Sequence, residues 1–477
     1  MSAITYIQLK TNVDCIQQIK SIRIIQRMNE HARLFLTAVL SDEKKDDYIK
    51  KNLSKEQFIL SSNGDPQTTL FQGMVLEAHT ETIGGVYYLK IKAISNSYLT
   101  DIKTVSRSFQ DKKITYEKLM KSIVSEYPNG DILDHASKGK LLDHLTIQYE
   151  ETDWEFLKRM ASHFHAGILP SLTHEGPKII IGVPKGSSAG TMDCSSYQMV
   201  KHLDKHLKSS KNGGNQLNET DSIEYLLETE KNYDIGDQLT CQNMQLYIKS
   251  KEASMSGGIL KFKYALSSQA GFYEDSLYNE AIAGVSLKGK VLDIIEDKLK
   301  VHLEIDDTQN KAKAWKFPYA TPYAAEGHSG WYCMPERGDT VLIHFPSHKE
   351  EDGYGMNSVR VKEKDSENFD DPDIKIFRTK NGKEIRFSPE EILITCLSGI
   401  DEITGKKQNI YIKLHQDTGI EIISSEPIQF KSDKGIRMEA EDSIQLMASK
   451  EIRLTCKTSE ILIDEKIDIC GEDVKIN

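Results

Sequence analysis

The chain has 477 residues, with 61 Lys or Arg against 72 Asp or Glu and a formal net charge of −11. That length predicts about three domains at roughly 150 residues each, and the acidic balance argues against a surface built to neutralise phosphates, which sets nucleic acid aside as a main partner. The first thirty residues carry Lys10, Asp14, Lys20 and Arg23 in place of the apolar stretch of a secretion signal, and no segment reaches the roughly 18 uncharged apolar residues of a membrane span, so the chain is expected to fold in the cytosol.

From Ile4 to about Phe109 the text reads as strands. Ala32, Leu34, Leu36, Ala38 and Leu40 alternate with their neighbours, and a further strand, Tyr87 to Ile94, follows a Gly84-Gly85 turn, which predicts a barrel or sandwich. The period then changes. Tyr116, Leu119, Met120, Ile123, Val124 and Tyr127 share one helical face, with Thr115 as N-cap and Pro128 as stop. A second helix is expected from Thr152, whose spacing to Glu155 makes a capping box, through Trp154, Leu157, Met160 and Phe164 to Gly167. This is an α/β insertion among strands. Residues 201 to 222 are polar, with Ser209-Ser210-Lys211-Asn212-Gly213-Gly214-Asn215, and read as an exposed loop. Strands resume near Tyr225. After Gly284, short strands at Val291 to Ile295, Leu299 to Glu304 and Val341 to Phe345 fit a small five-stranded barrel of the oligonucleotide/oligosaccharide-binding type. Seven scattered cysteines without a Cys-x-x-Cys pair argue against a disulfide framework and a zinc site and are expected to be reduced and mostly buried.

The C-terminal segment holds the strongest signal. Ile412, Ile420, Ile428, Ile436, Ile444 and Ile452 recur every eight residues, each followed two positions later by Leu414, Ile422, Phe430, Met438, Leu446 or Leu454. Each unit is an apolar-polar-apolar strand closed by turn-forming or charged residues such as Ser432-Asp433-Lys434-Gly435. Eight residues reach only about 26 Å, one side of a closed prism. Either one chain turns a corner at every repeat, or three chains intertwine and each contributes one side per layer. Three chains are favoured, because six repeats shared in that way make a long buried shaft, whereas one chain would make two short coils with open ends. Such a shaft leaves no lateral edge and is stiff. Beyond Ile452 the register slips to Ile461 and Ile463, then tightens through Ile467, Ile469, Val474 and Ile476 to Asn477. Val474, Ile476 and Asn477 are expected at the distal tip, where a cap would bind.

On these residues the sequence resembles the VgrG family of type VI secretion spikes and the equivalent hub and spike proteins of contractile phage tails and extracellular injection systems. The resemblance is carried by Asn29-Glu30-His31-Ala32, Leu70-Phe71-Gln72-Gly73, Ser106-Arg107-Ser108-Phe109-Gln110, and above all Gln148-Tyr149-Glu150-Glu151-Thr152-Asp153-Trp154-Glu155-Phe156-Leu157-Lys158-Arg159. Gly289-Lys290-Val291 and Pro335-Glu336-Arg337-Gly338-Asp339-Thr340-Val341-Leu342 fit the small barrel, and Arg378-Thr379-Lys380-Asn381-Gly382-Lys383-Glu384-Ile385 the lead-in to the needle. Asn381-Gly382 also reads independently as a tight hairpin turn. The expected organisation is mainly β: a hub β-barrel over 1–110, its α/β insertion over 111–190, a second hub barrel over 191–280 with the loop 201–222, an OB-fold barrel over 281–360, and a hairpin lead-in with an intertwined trimeric β-helix needle over 361–477. The resemblance implies a structural, non-enzymatic homotrimer whose hub seats the inner tube protein, and six equivalent hub positions from two barrels in each of three chains. It implies contacts with baseplate subunits, a PAAR-type tip protein on the blunt end, and a membrane met only as the target to be pierced. The particle would be delivered to the exterior or into a target cell. Departures are isoleucine where the family's repeats carry valine and glycine, a short needle, and no His-x-His near Asn477.

Enzymatic readings find no support in the residues. A lysozyme-type domain needs paired carboxylates on a fold of its own, and the interval from Val361 to Asp373 is too short for one. Glu350, Glu351 and Asp352 read as a solvated loop, and Glu150, Glu151, Asp153 and Glu155 as negative charge at a helix start. His202 with His206, and His163 with His165, lack a third ligand nearby, and no hydrolase or phosphate-loop motif occurs, so no cofactor or metal is expected. The small barrel holds ten Lys or Arg against twelve Asp or Glu over 281 to 360, and Trp315, Phe317, Tyr319 and Tyr323 are expected to pack rather than to stack bases. The alternatives are a tail spike that degrades cell wall or glycan, and a passive receptor-binding fibre, which would not need the long hub half.

Overall fold

In the computed structural model the described residues are 4–44, 46–51, 53, 56–63, 67–191, 196–203, 207, 218–241, 244–324, 329–359, 371–400 and 407–463. The chain divides into two units, Met1–Val361 and Lys362–Asn477. The first unit opens with β1 (Leu9–Thr11), β2 (Ile16–Arg27), β3 (Arg33–Leu40), the single turn α1 (Asp47–Lys50), β4 (Gln57–Ser62), β5 (Thr68–Ile83) and β6 (Val86–Ser95). Ala32, Leu34, Leu36, Ala38 and Leu40 are all buried, since a period of two sends them to one side. The β5–β6 hairpin closes through Gly84 and Gly85 at φ 57° and 81°, the left-handed pair that matches a two-residue turn to the twist of its strands. Gly73 is needed for close approach, because a Cβ there would lie 2.1 Å from the Ile94 carbonyl oxygen.

The insertion follows as β7 (Thr104–Phe109), α2 (Tyr116–Val124), β8 (Asp131–Asp134), β9 (Thr146–Thr152), α3 (Asp153–Ser162), β10 (Ile168–Pro170) and β11 (Lys178–Ile181). The Thr115 hydroxyl accepts from the Lys118 N–H, and at α3 both halves of the Thr152–Glu155 capping box are made, satisfying amides that a first turn otherwise leaves without partners. Both helices stop earlier than expected. Helix α2 ends at Val124, short of Pro128, and α3 ends at Ser162 because His165 takes φ 53° and the Ala166 N–H reaches back to the Ala161 carbonyl, a Schellman-type close that a non-glycine residue supplies. Strand β8 runs parallel to β11, and β10 antiparallel to it. Leu119, Met120, Ile123, Trp154, Leu157 and Ile179 belong to the core of this layer.

The chain then returns to the large sheet with β12 (Ser188–Thr191), β13 (Gln198–Lys201), β14 (Ile223–Thr229), β15 (Gln238–Cys241), β16 (Met244–Ser256) and β17 (Ile259–Ser267). The hydrogen-bonded order is β1-β4-β5-β6-β3-β2-β16-β17-β14-β13, with β15 on β16 and β12 on β15. Here the expectation of closed hub barrels is corrected. Among the described residues the two strand sets form one twelve-stranded sheet, because β2 pairs across the seam with β16, from Arg27↔Ser250 to Arg23↔Ser254, where closure would have turned each strand back on its own set. Arg23 donates from Nε and Nη2 to the Glu252 carboxylate across that seam, at 2.8 and 3.0 Å.

The first unit ends with β18 (Ser286–Ile295), β19 (Lys298–Leu303), β20 (Lys316–Pro318), β21 (Thr340–His344) and β22 (Tyr354–Val359), ordered β20-β19-β18-β21-β22. The sheet curls until its edges touch at one bridge, Tyr319 to Gly355. Val301, Phe317, Val341, Ile343 and Phe345 form its core, and Leu145 and Ile147 of the insertion share it.

The second unit is a meander of β23 (Lys375–Arg378), β24 (Glu384–Phe387), β25 (Glu391–Ile400), β26 (Lys407–His415) and β27 (Gly419–Ser424), followed by the hairpin β28 (Ile452–Cys456) and β29 (Ser459–Ile463). The turn at Asn381-Gly382 is present, with Gly382 at φ 73°. The Gly382 N–H donates to the Thr379 carbonyl and the Thr379 N–H to the Lys383 carbonyl, so glycine ends a three-residue loop. The cysteines depart from expectation. Cys15 is a buried free thiol, Cys333, Cys396 and Cys456 are exposed free thiols, and Cys241 is disulfide-bonded, since scattered spacing carries no signature of a pair that folding brings together. No helix among the described residues is long and apolar enough to cross a membrane.

Candidate assembly face and the motif-built joint

In the second unit the cross-strand register sorts side chains onto two unlike faces. Phe377, Ile385, Ile394, Ile412 and Ile422 are successive direct neighbours across the five strands of the meander, and Phe387, Ile392, Leu414 and Ile420 form a second row beside them. Directly opposed residues share a face, so this face carries two apolar rows. It is open to solvent in a single chain: Ile420 is 72% exposed, and Phe377, Phe387, Ile394 and Ile412 are also exposed. The opposite face is ion-paired. Glu384 is buried and accepts from Arg378 and Arg386, Lys413 lies 2.7 Å from Glu421, and the Tyr411 hydroxyl donates to Glu421. One face has met its own chemical requirements and the other has not.

The eight-residue repeat meets this geometry in part. Its first two units are the paired strands β26 and β27, joined as Ile412↔Ile422 and Leu414↔Ile420. Ile428, Phe430, Ile436, Met438, Ile444 and Leu446 lie in a stretch without regular secondary structure, all exposed, Phe430 by 73% and Met438 by 68%. The sixth unit folds back on itself with Ile452↔Ile463 and Leu454↔Ile461. That hairpin accounts for the one-residue slip in the sequence pattern, since Lys457 at φ 52° turns the chain there. Sequence reasoning missed Phe377, Ile385, Phe387, Ile392 and Ile394, although the alternations Ile385/Phe387 and Ile392/Ile394 were there to be read. Val474, Ile476 and Asn477 lie outside the described residues.

In the first unit the motif residues converge on one joint. Asp153 is buried at the start of α3 and accepts from Arg107 Nη2 at 2.7 Å, Tyr127 Oη at 2.7 Å and Gln148 Nε2 at 2.9 Å. His31 meets Ser97 Oγ at 2.8 Å and Asp101 at 3.1 Å and lies 4.1 Å from the Trp154 ring, and burial lowers its pKa. The Thr152 hydroxyl donates to the same Asp101. The other side of the joint is the small sheet. Ser108 donates from its amide and hydroxyl to Asp306, Gln110 accepts from the Trp315 amide, and Asn279 donates to the Tyr149 carbonyl. Arg159, 3% exposed, forks onto Glu151 at 2.7 Å and reaches Glu350 at 2.8 Å. Glu350, read in the sequence as solvated, is instead buried, where it pairs with the free Nη1 side of a guanidinium already held by Glu151. The acidic cluster at the start of α3 serves structure.

The histidine pairs do not converge. His163 is half-buried and meets the Tyr116 hydroxyl at 3.0 Å, and this burial pushes its pKa down to about 4, with Arg159, His144 and Lys140 adding to the effect. His165 stacks on Tyr273 and meets the Glu274 carbonyl oxygen. His202 faces Glu224, and His206 lies outside the described residues. No group of three or more His, Cys, Asp or Glu suited to a metal occurs among the described residues.

No protein-family model matches the sequence, and no curated protein does. Solved structures do match. The E. coli c3393 protein, a component of the type VI secretion system with structural similarity to the T4 bacteriophage tail proteins gp27 and gp5, aligns at 14% identity with a TM-score of 0.53, over 74% of this chain and 99% of that one. Chains of the Francisella PdpA-VgrG complex align at 8% identity: in its lidded form at a TM-score of 0.52, over 87% of this chain and 79% of that one, and in its half-lidded form at 0.51, over 88% and 87%. The fold is that of VgrG-like proteins with tail-protein architecture.

Proposed function

We propose that the chain is the central hub and spike subunit of a contractile injection machine, that it works as a homotrimer, and that it is not an enzyme. The observation that carries this reading is the solvent-exposed apolar face of the second unit, continued by the exposed Ile428, Ile436 and Ile444 of the repeats. Each such side chain gains roughly 1 to 3 kcal/mol when removed from water, so a dozen per chain outweigh the cost of bringing subunits together. Three chains laying these faces together make the intertwined β-helix, with Ile412, Leu414, Ile420, Ile422, Ile428, Phe430, Ile436, Met438, Ile444, Leu446, Ile452 and Leu454 as its core. The fold shared with a type VI secretion component supports the rest of the assignment. The large sheet offers two strand sets per chain, hence six positions in a trimer on which an inner tube protein is laid down beside baseplate subunits, and the curled small sheet acts as an OB-type barrel between hub and needle. Sheath contraction supplies the work, and Val474, Ile476 and Asn477 lead through the target envelope beneath a PAAR-type tip protein.

The test is solution mass by light scattering on the purified full chain. The proposal requires three times 54.1 kDa, about 162 kDa, retained in mild denaturant. A clean monomer at micromolar concentration would sink it.

A further inference from the structure

A cleft of about 850 Å³ opens in the first unit above the seam between the two strand sets, within the size range of ligand pockets. Its floor is built from the cross-strand neighbours Gln26 and Lys251 and from the row Ile24–Ala253–Phe262. One wall is locked. Asp237 accepts from the Ser187 amide at 2.8 Å and the Asp234 amide at 2.9 Å, and a Cβ on Gly186 would stand 2.4 Å from the Asp237 nitrogen, so loops 184–187 and 234–237 hold each other closed. The facing wall is the segment 169–174, pinned by Gln26 Nε2 donating to the Pro170 carbonyl at 2.9 Å.

The Lys251 ammonium on that floor is the anomaly. Its side chain is 8% exposed, yet its ion-pair partner is Asp234, 3.5 Å away on a side chain 88% exposed. Its other neighbour is the Phe262 ring, 5.5 Å from the nitrogen to the centroid. An ammonium taken out of water is costly unless a close, equally sheltered anion meets it, and here burial lowers the pKa, with Asp234 and Asp237 only partly offsetting it. Lys185 and His174 also line the cleft.

We propose that this cleft is a binding site for a carboxylate-bearing ligand, whose carboxylate enters between the two walls and pairs with Lys251. The floor beside it is apolar through Ile24, Ala253 and Phe262, so the ligand carries an aliphatic stem behind its charge. A small dicarboxylate and a Glu side chain of a bound peptide both present that chemistry. The proposal does not rest on the trimer.

Calorimetric titration of the full chain with succinate, and separately with an acetylated, amidated Glu-containing tetrapeptide, separates the two. Saturable binding of either probe is expected, and the tighter one identifies the source. Lys251→Met, which keeps the apolar stem and removes the charge, is expected to melt no lower than the parent and to lose at least tenfold in affinity. Asp234→Asn, which removes the competing carboxylate, is expected to bind at least as tightly as the parent. Absence of binding by both probes overturns the proposal, as does undiminished affinity in Lys251→Met or weakened affinity in Asp234→Asn.

Discussion

His163 turns burial into a dependence on pH. Its pKa is near 4 in the folded chain and about 6.5 in an unfolded one, so between those values the unfolded chain holds more protons. Folding stability is then full above pH 6.5 and declines as pH falls toward 4, by at most about 3 kcal/mol. His163→Gln is expected to flatten that decline in thermal melts at pH 7, 5 and 4. Arg159 is the costlier position. Its loss leaves the buried Glu350 and the half-buried Glu151 without this counter-charge, and Arg159→Leu is expected to lose about 3 to 5 kcal/mol in denaturant unfolding. Part of that should return in the triple variant that adds Glu151→Gln and Glu350→Gln. This network was half legible. The run from Gln148 to Arg159 carried a visible capping box, but Glu350 lies 191 residues from Arg159, and no local pattern announces a partner that far along the chain.

At the scale of elements the local rules held wherever the cause was local. Period two placed β3, paired glycines placed the β5–β6 turn, and N-cap chemistry started both long helices at the expected threonines. Helix ends were less legible, since the close of α3 rests on His165 in a left-handed conformation, which sequence favours only weakly. In the meander the sequence shows an eight-residue recurrence only from Ile412 onward, because the turns before it are unequal in length, although the apolar rows begin three strands earlier. This gives a discriminating experiment. Ile412→Asp with Ile422→Asp puts two adjacent carboxylates on the bare face and is expected to abolish the 162 kDa species. Lys413→Ala with Glu421→Ala removes an ion pair on the opposite face, and solvent screens such exposed pairs so that they contribute little, so assembly should be retained. Size-exclusion chromatography with light scattering reads both.

For the whole molecule, the mainly β character was readable from periodicity. The joining of the two strand sets into one sheet was not, because pairing between β2 and β16 spans more than two hundred residues. The small sheet is likewise coupled beyond its own segment: Leu145 and Ile147 of the insertion are fully buried in its core. Leu145→Ala is therefore expected to cost about 2 to 5 kcal/mol and to lower the unfolding of the small sheet, followed by Trp315 fluorescence, together with that of the insertion and not after it. A last consequence comes from residues 428–446, whose isoleucines stand in water within one chain. On the proposed reading this stretch completes its folding only in a reaction of higher than first order, so the yield of finished spike rises steeply with the concentration of newly made chains. Once wound, three such strands separate only by unfolding. Finished spikes should not exchange subunits, and a particle built from two tagged variants would keep for life the composition it had at birth.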